Sequence, residues 1–253
     1  MLHTSPHQLG GSVLSTQLGS EDTLGHLKFD EVELMPRQIL LSEGMPMDYV
    51  YLIRSGLVSL LRSMEDGATV EVGLVGRDGF AGLEIVLGSN TSRFQGVVQI
   101  GGSALRIRAR TLREELARNH VLRSHLLDRA QALLVKISQT AACNVRHTVN
   151  RRLARWMLLA SDCMGEGVLP VSHELLSTIL GARRAGITTA LGKLRNAGLI
   201  RNDLGRITIL DGDGLEALAC ECYRLQLDVR RLLTGGPAPA GVGGVECLSL
   251  SAG

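Results

Sequence analysis

The spacing of apolar and polar residues divides the chain into two textures. Between Val32 and Ile107, short apolar alternations recur at Val32-Leu34, Ile39-Leu41, Tyr49-Tyr51, Val58-Leu60, Val70-Val72-Leu74, Val98-Ile100 and Leu105-Ile107. Turn signals separate them at Glu43-Gly44, Ser55-Gly56, Asp66-Gly67, Gly76, Gly79, Gly88 and Gly101-Gly102. Alternation with period two, interrupted by glycine, predicts an antiparallel barrel or sandwich. A short helix over about 23–32 is expected to lead into it. From Thr111 the period changes to three and four. Asn119 is placed to cap a helix on which Leu122, Leu126, Ala130, Leu133, Leu134, Ile137 and Ala141 form one seam, running from Val121 to about Cys143. Such a seam packs either on its own sheet domain or on the same helix of a second chain. A second amphipathic helix over 146–163 places Leu153, Trp156, Met157 and Ala160 inward and Arg151, Arg152 and Arg155 outward.

The pattern that organises the rest is VSHELLSTILGARRAGITTALGKLRNAGLIRNDLGRITIL, residues 171–210. Ser172 is positioned as an N-cap with Glu174 in the first turn; Leu175, Leu176, Ile179 and Leu180 share one face, and Gly181 ends the helix. A second helix buries Ile187, Ala190, Leu191 and Leu194, and its other face carries the short groups of Ala185, Thr188, Thr189, Gly192 and Asn196. Leu199-Ile200, the turn Asn202 to Gly205, and Ile207-Thr208-Ile209 then predict a small hairpin. Two helices joined by a short glycine turn, followed by a strand pair, form a winged helix-turn-helix, whose second helix enters the DNA major groove. Arg183 and Arg184 stand where that second helix begins, at the positive end of its dipole. Stability alone favours Ser or Asp there; arginine is explained by a phosphate or a guanine edge that meets it. The DNA-facing set is accordingly Ser172, Arg183, Arg184, Ala185, Thr188, Thr189 and Lys193.

Charge strengthens this assignment. The chain's net charge is only +2, but residues 144–206 carry 10 Lys/Arg against 4 Asp/Glu, whereas 1–143 carry 14 against 15 and 207–253 carry 3 against 6. The basic excess therefore falls on the helix-turn-helix segment, as phosphate contact requires. Aromatic residues, at 3%, are too scarce for base-stacking platforms on single strands. No apolar run is long enough to span a membrane, and the N-terminal stretch lacks the basic start and apolar core of a secretory signal, so a cytoplasmic location is expected. No phosphate-binding glycine loop, nucleophile motif or metal-ligand cluster is legible, so no enzyme activity and no cofactor is expected. His120 and His125 do not share a helix face, and His147 and His173 read as surface residues. The five cysteines are expected to be free thiols; Cys220 and Cys222 lie two apart on an expected helix over 214–233 and would point to different faces.

Over roughly residues 24–230 the chain resembles the Crp/Fnr family of bacterial transcription regulators. The resemblance rests on PRQILLSEGMPMDYVYLIRSGLVSLL from Pro36, VGRDGFAGLEIVLG from Val75, the helix-turn-helix, and GRITILD from Gly205. It implies an α+β protein: an N-terminal antiparallel β-roll of the cyclic-nucleotide-binding kind, a long dimerisation helix and a C-terminal winged helix-turn-helix. The corresponding division is a flexible arm at 1–20, a sensor-like roll at 21–118, the long helix at 119–144, the DNA-binding domain with its last helix at 145–233, and a disordered tail at 234–253. It further implies a homodimer on double-stranded DNA that touches RNA polymerase, often under a small effector. Two departures matter. Where the family's recognition helix usually has Ser/Thr-Arg-Glu and a later Arg, this chain has Arg183, Arg184, Ala185 and Thr189, so its operator differs. Where cyclic-nucleotide binders have Gly-Glu-Leu and a phosphate-holding Arg followed by Ser/Thr-Ala, this chain has Gly82, Leu83 and Arg93 followed by Phe94-Gln95. Those three residues are the effector candidates, and cyclic AMP is not the expected ligand. The competing reading is a ligand-sensing roll whose helical domain docks another protein instead of DNA.

Overall fold

The computed structural model describes residues 27–233 apart from Asp78, Glu166 and Leu204, and gives only the backbone of 230–233. The arm, the start of the expected N-terminal helix, the tail and Cys247 lie outside these residues. A strand, β1 (Asp30–Leu34), occupies the second half of that expected helix.

The remaining roll strands are β2 (Ile39–Leu41), β3 (Tyr49–Ser63), β4 (Thr69–Val75), β5 (Phe80–Ala81) and β6 (Gln95–Arg108). They form one antiparallel sheet in the order β1-β6-β3-β4, with β2 also on β6 and β5 also on β3. The alternations are strands, as the period predicts, but two pairs are fused. Tyr49-Tyr51 and Val58-Leu60 belong to β3, and Val98-Ile100 and Leu105-Ile107 to β6. The expected turns at Ser55-Gly56 and Gly101-Gly102 are register shifts inside these long strands. Glycine explains the difference: Gly56 has φ +87°, and a Cβ there would stand 2.5 Å from the carbonyl oxygen of Ile100. The strands bend around each other at this point without parting.

Helix α1 (Ala109–Leu116) leads to α2 (His120–Arg146), which Asn119 caps by accepting from the Leu122 amide at 2.9 Å. The seam of α2 divides. Leu122, Leu126 and Ala130 are buried in the roll's core with Val50, Leu52 and Phe80. Leu134 and Ala141 of the seam are exposed, as are Leu127, Val135 and Val145 beside it. Helix α3 (Val149–Met164) is followed by β7 (Val168–Leu169), α4 (His173–Leu180), α5 (Arg184–Asn196), β8 (Ile200–Asp203) and β9 (Arg206–Ile209). Val168-Leu169 pairs with β9 and completes a three-stranded sheet in the order β7-β9-β8.

The expected last helix is two, α6 (Gly212–Leu218) and α7 (Cys222–Leu233), with a break between them. Asp211 caps α6 by accepting from the Gly214 amide at 2.9 Å. Because Cys220 lies in the break and Cys222 opens α7, their thiols do not diverge; both are buried together with Cys143. This overturns the two-faces reading, which assumed one continuous helix.

A second core joins the roll to the helices. Leu57 and Ile100, from the bend of β3 and β6, are buried with Trp156, Met157, Leu176, Leu180, Ile187 and Leu191. Each such side chain contributes about 1.5–3 kcal/mol when fully buried. Helix α3 is thus the shared middle layer, packed on both sides.

Candidate nucleic-acid interface

The interface is built from the turn outward. Ser172 caps α4 through its hydroxyl oxygen, which accepts from the Leu175 amide at 3.1 Å, and Glu174 sits in the first turn. Helix α4 ends on Gly181 at φ +53°, where the amides of Gly181 and Ala182 bond back to the carbonyls of Thr178 (3.2 Å) and Ser177 (3.0 Å). These two bonds are the glycine-terminated helix stop. A Cβ at Gly181 would also come within 2.6 Å of Val70 on β4, so the turn needs glycine for space as well as for conformation. Arg183 follows in an extended conformation with no side-chain cap, and α5 begins at Arg184.

Helix α5 divides as its periodicity predicts. Ile187, Ala190, Leu191 and Leu194 are buried, while Arg183, Arg184, Ala185, Thr188, Thr189 and Lys193 are not, and Ser172 at the foot of α4 is exposed. Arg195 and Asn196 extend the outward face. Among the described residues, no carboxylate forms an ion pair with Arg183, Arg184, Lys193 or Arg195. A helix start that faces outward, has no side-chain cap and carries two guanidinium groups outside any such pair has the chemistry to receive an anion. The two threonines have their hydroxyls engaged within the protein. Thr189 Oγ1 donates to the Ala185 carbonyl at 3.0 Å, and Thr188 Oγ1 lies 3.1 Å from His173 Nδ1.

His173 is partly exposed, in keeping with its surface reading, but its ring is engaged on both nitrogens. Its Nε2 lies 2.9 Å from Asn202 Nδ2 on β8, so one imidazole links α4, α5 and the wing. Neither His173 nor Asn202 was legible as a positioning residue, because both contacts are long-range and neither residue belongs to a local motif.

The arginines of α3 are a correction. Arg151 is exposed, but Arg152 and Arg155 are 8% and 3% exposed and cannot face phosphates. An Arg152 Nη2–H donates to the Leu180 carbonyl, a cation bonded to the C-terminal end of α4. Arg155 lies within electrostatic reach of Glu71 on β4, which is fully buried. The Glu71 carboxylate accepts from the Ser59 hydroxyl and, at 3.0 Å, from Trp156 Nε1, so it bonds the roll to the middle helix. Burial pushes this carboxyl up to about 7, against the lowering effect of those two hydrogen bonds and of Arg155.

The effector candidates do not converge on a polar site. Gly82 adopts φ +98° ahead of a short 3-10 turn, and Leu83 within it is buried in the roll's core. The Arg93 side chain is exposed, while its backbone ties down the loop: its amide lies 3.3 Å from Glu84 Oε1 and its carbonyl accepts from Arg62 at 2.7 Å. Glu84 also accepts from Ser92 Oγ at 2.8 Å. A void beneath α1 and α2, lined by Leu52, Phe80, Ile107, Leu112, Leu122 and Leu126, is apolar and measures about 10 Å³. That is room for a single water, not a nucleotide.

Comparison with known proteins gives two family matches. Residues 31–119 match the cyclic nucleotide-binding domain, and residues 151–218 match the Crp-like helix-turn-helix domain. The chain is 28% identical over 202 residues to the transcriptional regulator SdrP of Thermus thermophilus, covering 75% of this chain and 94% of that protein. It is 24% identical over 177 residues to the global nitrogen regulator of Synechococcus elongatus, covering 66% and 80%. The structure of FixK2 from Bradyrhizobium japonicum superposes with a TM-score of 0.67 at 18% identity, covering 77% of this chain and 98% of that one. A CRP/FNR-family transcriptional regulator of Thermus thermophilus superposes with a TM-score of 0.54 at 25% identity, covering 75% and 98%. No helix among the described residues is long and apolar enough to cross a membrane.

Proposed function

The chain belongs to the Crp/Fnr family of DNA-binding transcription regulators, and we propose that it works as a homodimer in the cytoplasm that reads an operator of its own. In this reading α5 lies in the major groove, with Arg183, Arg184 and Lys193 on phosphates or guanine edges, and Ala185, Thr188 and Thr189 against bases. Ser172 supports the start of α4 against the backbone. The observation that carries this is the division of α5, which buries every apolar residue of its stripe and leaves its basic start outward. The bound dimer is then in position to touch RNA polymerase, and no catalytic step is needed. Selection of binding sites from random duplexes by the purified full chain is the test. Recovery of an inverted repeat supports the reading, and equal affinity for every sequence overturns it.

The exposed residues Leu127, Leu134 and Val135 of α2, with Val145 beyond them, are the surface we assign to the second copy. Placing a charge there, as in Leu134→Glu, leaves the roll's core untouched and shifts sedimentation from dimer to monomer, with operator affinity falling in parallel. Dimers that persist in this variant place the interface elsewhere.

Cyclic AMP is not the effector in this reading. Leu83 is buried where a ribose-binding carboxylate would be needed, and Glu84 is held by Ser92 and the Arg93 amide. Binding of the selected operator is expected to be unchanged by added cyclic AMP, and the Arg93→Ala variant is expected to behave as wild type. An affinity gain with the nucleotide that Arg93→Ala removes reverses this assignment.

A further inference from the structure

Four side chains with metal-binding atoms meet where α2 gives way to α3. Cys143 lies on the last turns of α2, and His147 follows that helix four residues on, within reach of the same face. Cys220 and Cys222 arrive from the break between α6 and α7. Their ligand atoms all lie within 4.8 Å of one another. Cys143 Sγ is 3.5 Å from Cys220 Sγ, and Cys222 Sγ is 3.5 Å from His147 Nδ1. The three cysteines are buried. From these contacts we propose that Cys143, His147, Cys220 and Cys222 form a mononuclear, tetrahedral zinc site that clamps the last helix to the end of the long one.

The size and chemistry of the donor set both support zinc. Ligand atoms on a tetrahedron with bonds of about 2.1–2.3 Å stand roughly 3.4–3.8 Å apart, the spacing of the two pairs above. An iron–sulfur cube, which holds its cysteines apart around several iron and sulfide atoms, needs a wider cage. Three thiolates and one imidazole are a recognised structural zinc set. Ligation displaces a proton from each thiol to solvent and leaves the zinc with three thiolates at a net charge of −1. Cys143 is within electrostatic reach of Arg152 and Arg155, buried arginines whose Nε atoms have no hydrogen-bond partner among the described residues. These offset that charge.

The surroundings are those of ligands held in place. His147 turns its other nitrogen, Nε2, to the Glu221 carboxylate at 3.3 Å. A proton held there leaves Nδ1 unprotonated and aimed at the cluster, the usual carboxylate–histidine support for a metal. Gln139 Nε2 donates to Cys222 Sγ at 2.9 Å, a bond suited to a thiolate. The clamp joins residues 77 positions apart in sequence, so metal binding closes a long loop and contributes directly to folding. It also fixes the joint between the long helix and the DNA-binding helices. Zinc binding at this joint is independent of what the recognition helix reads.

The test is metal analysis of the full chain purified under reducing conditions, followed by chelation and titration with cobalt(II) and then zinc(II). About one zinc per chain is expected, with a thiolate-to-cobalt absorption band that zinc abolishes, and X-ray absorption reporting three sulfur neighbours and one nitrogen. Cys220→Ser and Cys222→Ser are each expected to weaken binding by more than the roughly 10–100-fold that loss of a supporting residue costs. His147→Cys keeps a tetrahedral donor set and retains the metal, and Cys163→Ser, outside the cluster, binds as wild type. The His147→Cys arm and the wild-type titration decide the question even where a serine variant fails to fold. Wild-type protein that takes up neither metal overturns the site, as does cobalt affinity unchanged by both serine variants. A Cys143–Cys220 disulfide in the reduced preparation overturns it too, and so does acid-labile sulfide with iron.

Discussion

Replacing Arg183 and Arg184 together by alanine is expected to weaken binding to the selected operator by at least tenfold, with no change in thermal unfolding. Neither side chain contributes to a core, and neither forms an ion pair among the described residues, so their removal costs the fold little. In the complex each guanidinium contributes about 1–3 kcal/mol of discrimination if it takes a guanine edge. If it takes a phosphate, the loss is uniform across sequences and the salt slope falls by about one per arginine. Titration of operator and scrambled duplex at several salt concentrations separates the two roles. Affinity unchanged on both duplexes removes the pair from the interface, and with it the main support for the docking of α5. Lys193→Ala, farther along the same face, is expected to do less, since a single flexible ammonium reaches a phosphate without fixing register.

The parts of this protein that sequence made legible are those governed by local rules. The stripe Ile187, Ala190, Leu191 and Leu194 follows from helical spacing alone, and Gly181 from the need for a left-handed residue after α4. Asn119 caps α2 for reasons confined to one turn. What was not legible depends on partners far away in the chain. A charged residue is placed outward by default, so nothing in the spacing of α3 marks Arg152 and Arg155 as buried. They are buried because α3 is covered by the roll on one side and by the helix-turn-helix on the other. The dense apolar run from Leu153 to Ala160, with few polar positions to spare, was the available hint. The cysteines show the same lesson in reverse. The residues were in view, but the spacing argument assumed an unbroken helix through Ala219, and the link with Cys143 spans 77 positions. The spacing of four between Cys143 and His147 was the local signal of their meeting.

Glu71 yields the second large effect, and its sign follows from linkage. Its folded value of about 7 lies above the ordinary 4.5, so between those limits the folded chain holds a proton that the unfolded chain has released. The stability that the protonated carboxyl contributes is complete below about pH 4.5 and is lost as pH rises through 7. The loss is on the order of 3 kcal/mol, taking about 1.4 kcal/mol per unit of displacement. Glu71→Gln keeps the shape and the acceptor for Trp156 Nε1 but cannot ionise. Near pH 4 it is expected to match wild type in denaturant unfolding, and near pH 8 to exceed it by a few kcal/mol. Parallel curves at both pH values would mean that Glu71 stays charged, or stays neutral, throughout. A second readout needs no unfolding. Trp156 is the chain's only tryptophan and bonds directly to this carboxylate, so its emission is expected to titrate with a midpoint near 7 in wild type and to be flat in Glu71→Gln. Because the bond joins β4 to α3, that midpoint also marks the pH at which a buried charge begins to strain the joint between the roll and the DNA-binding helices.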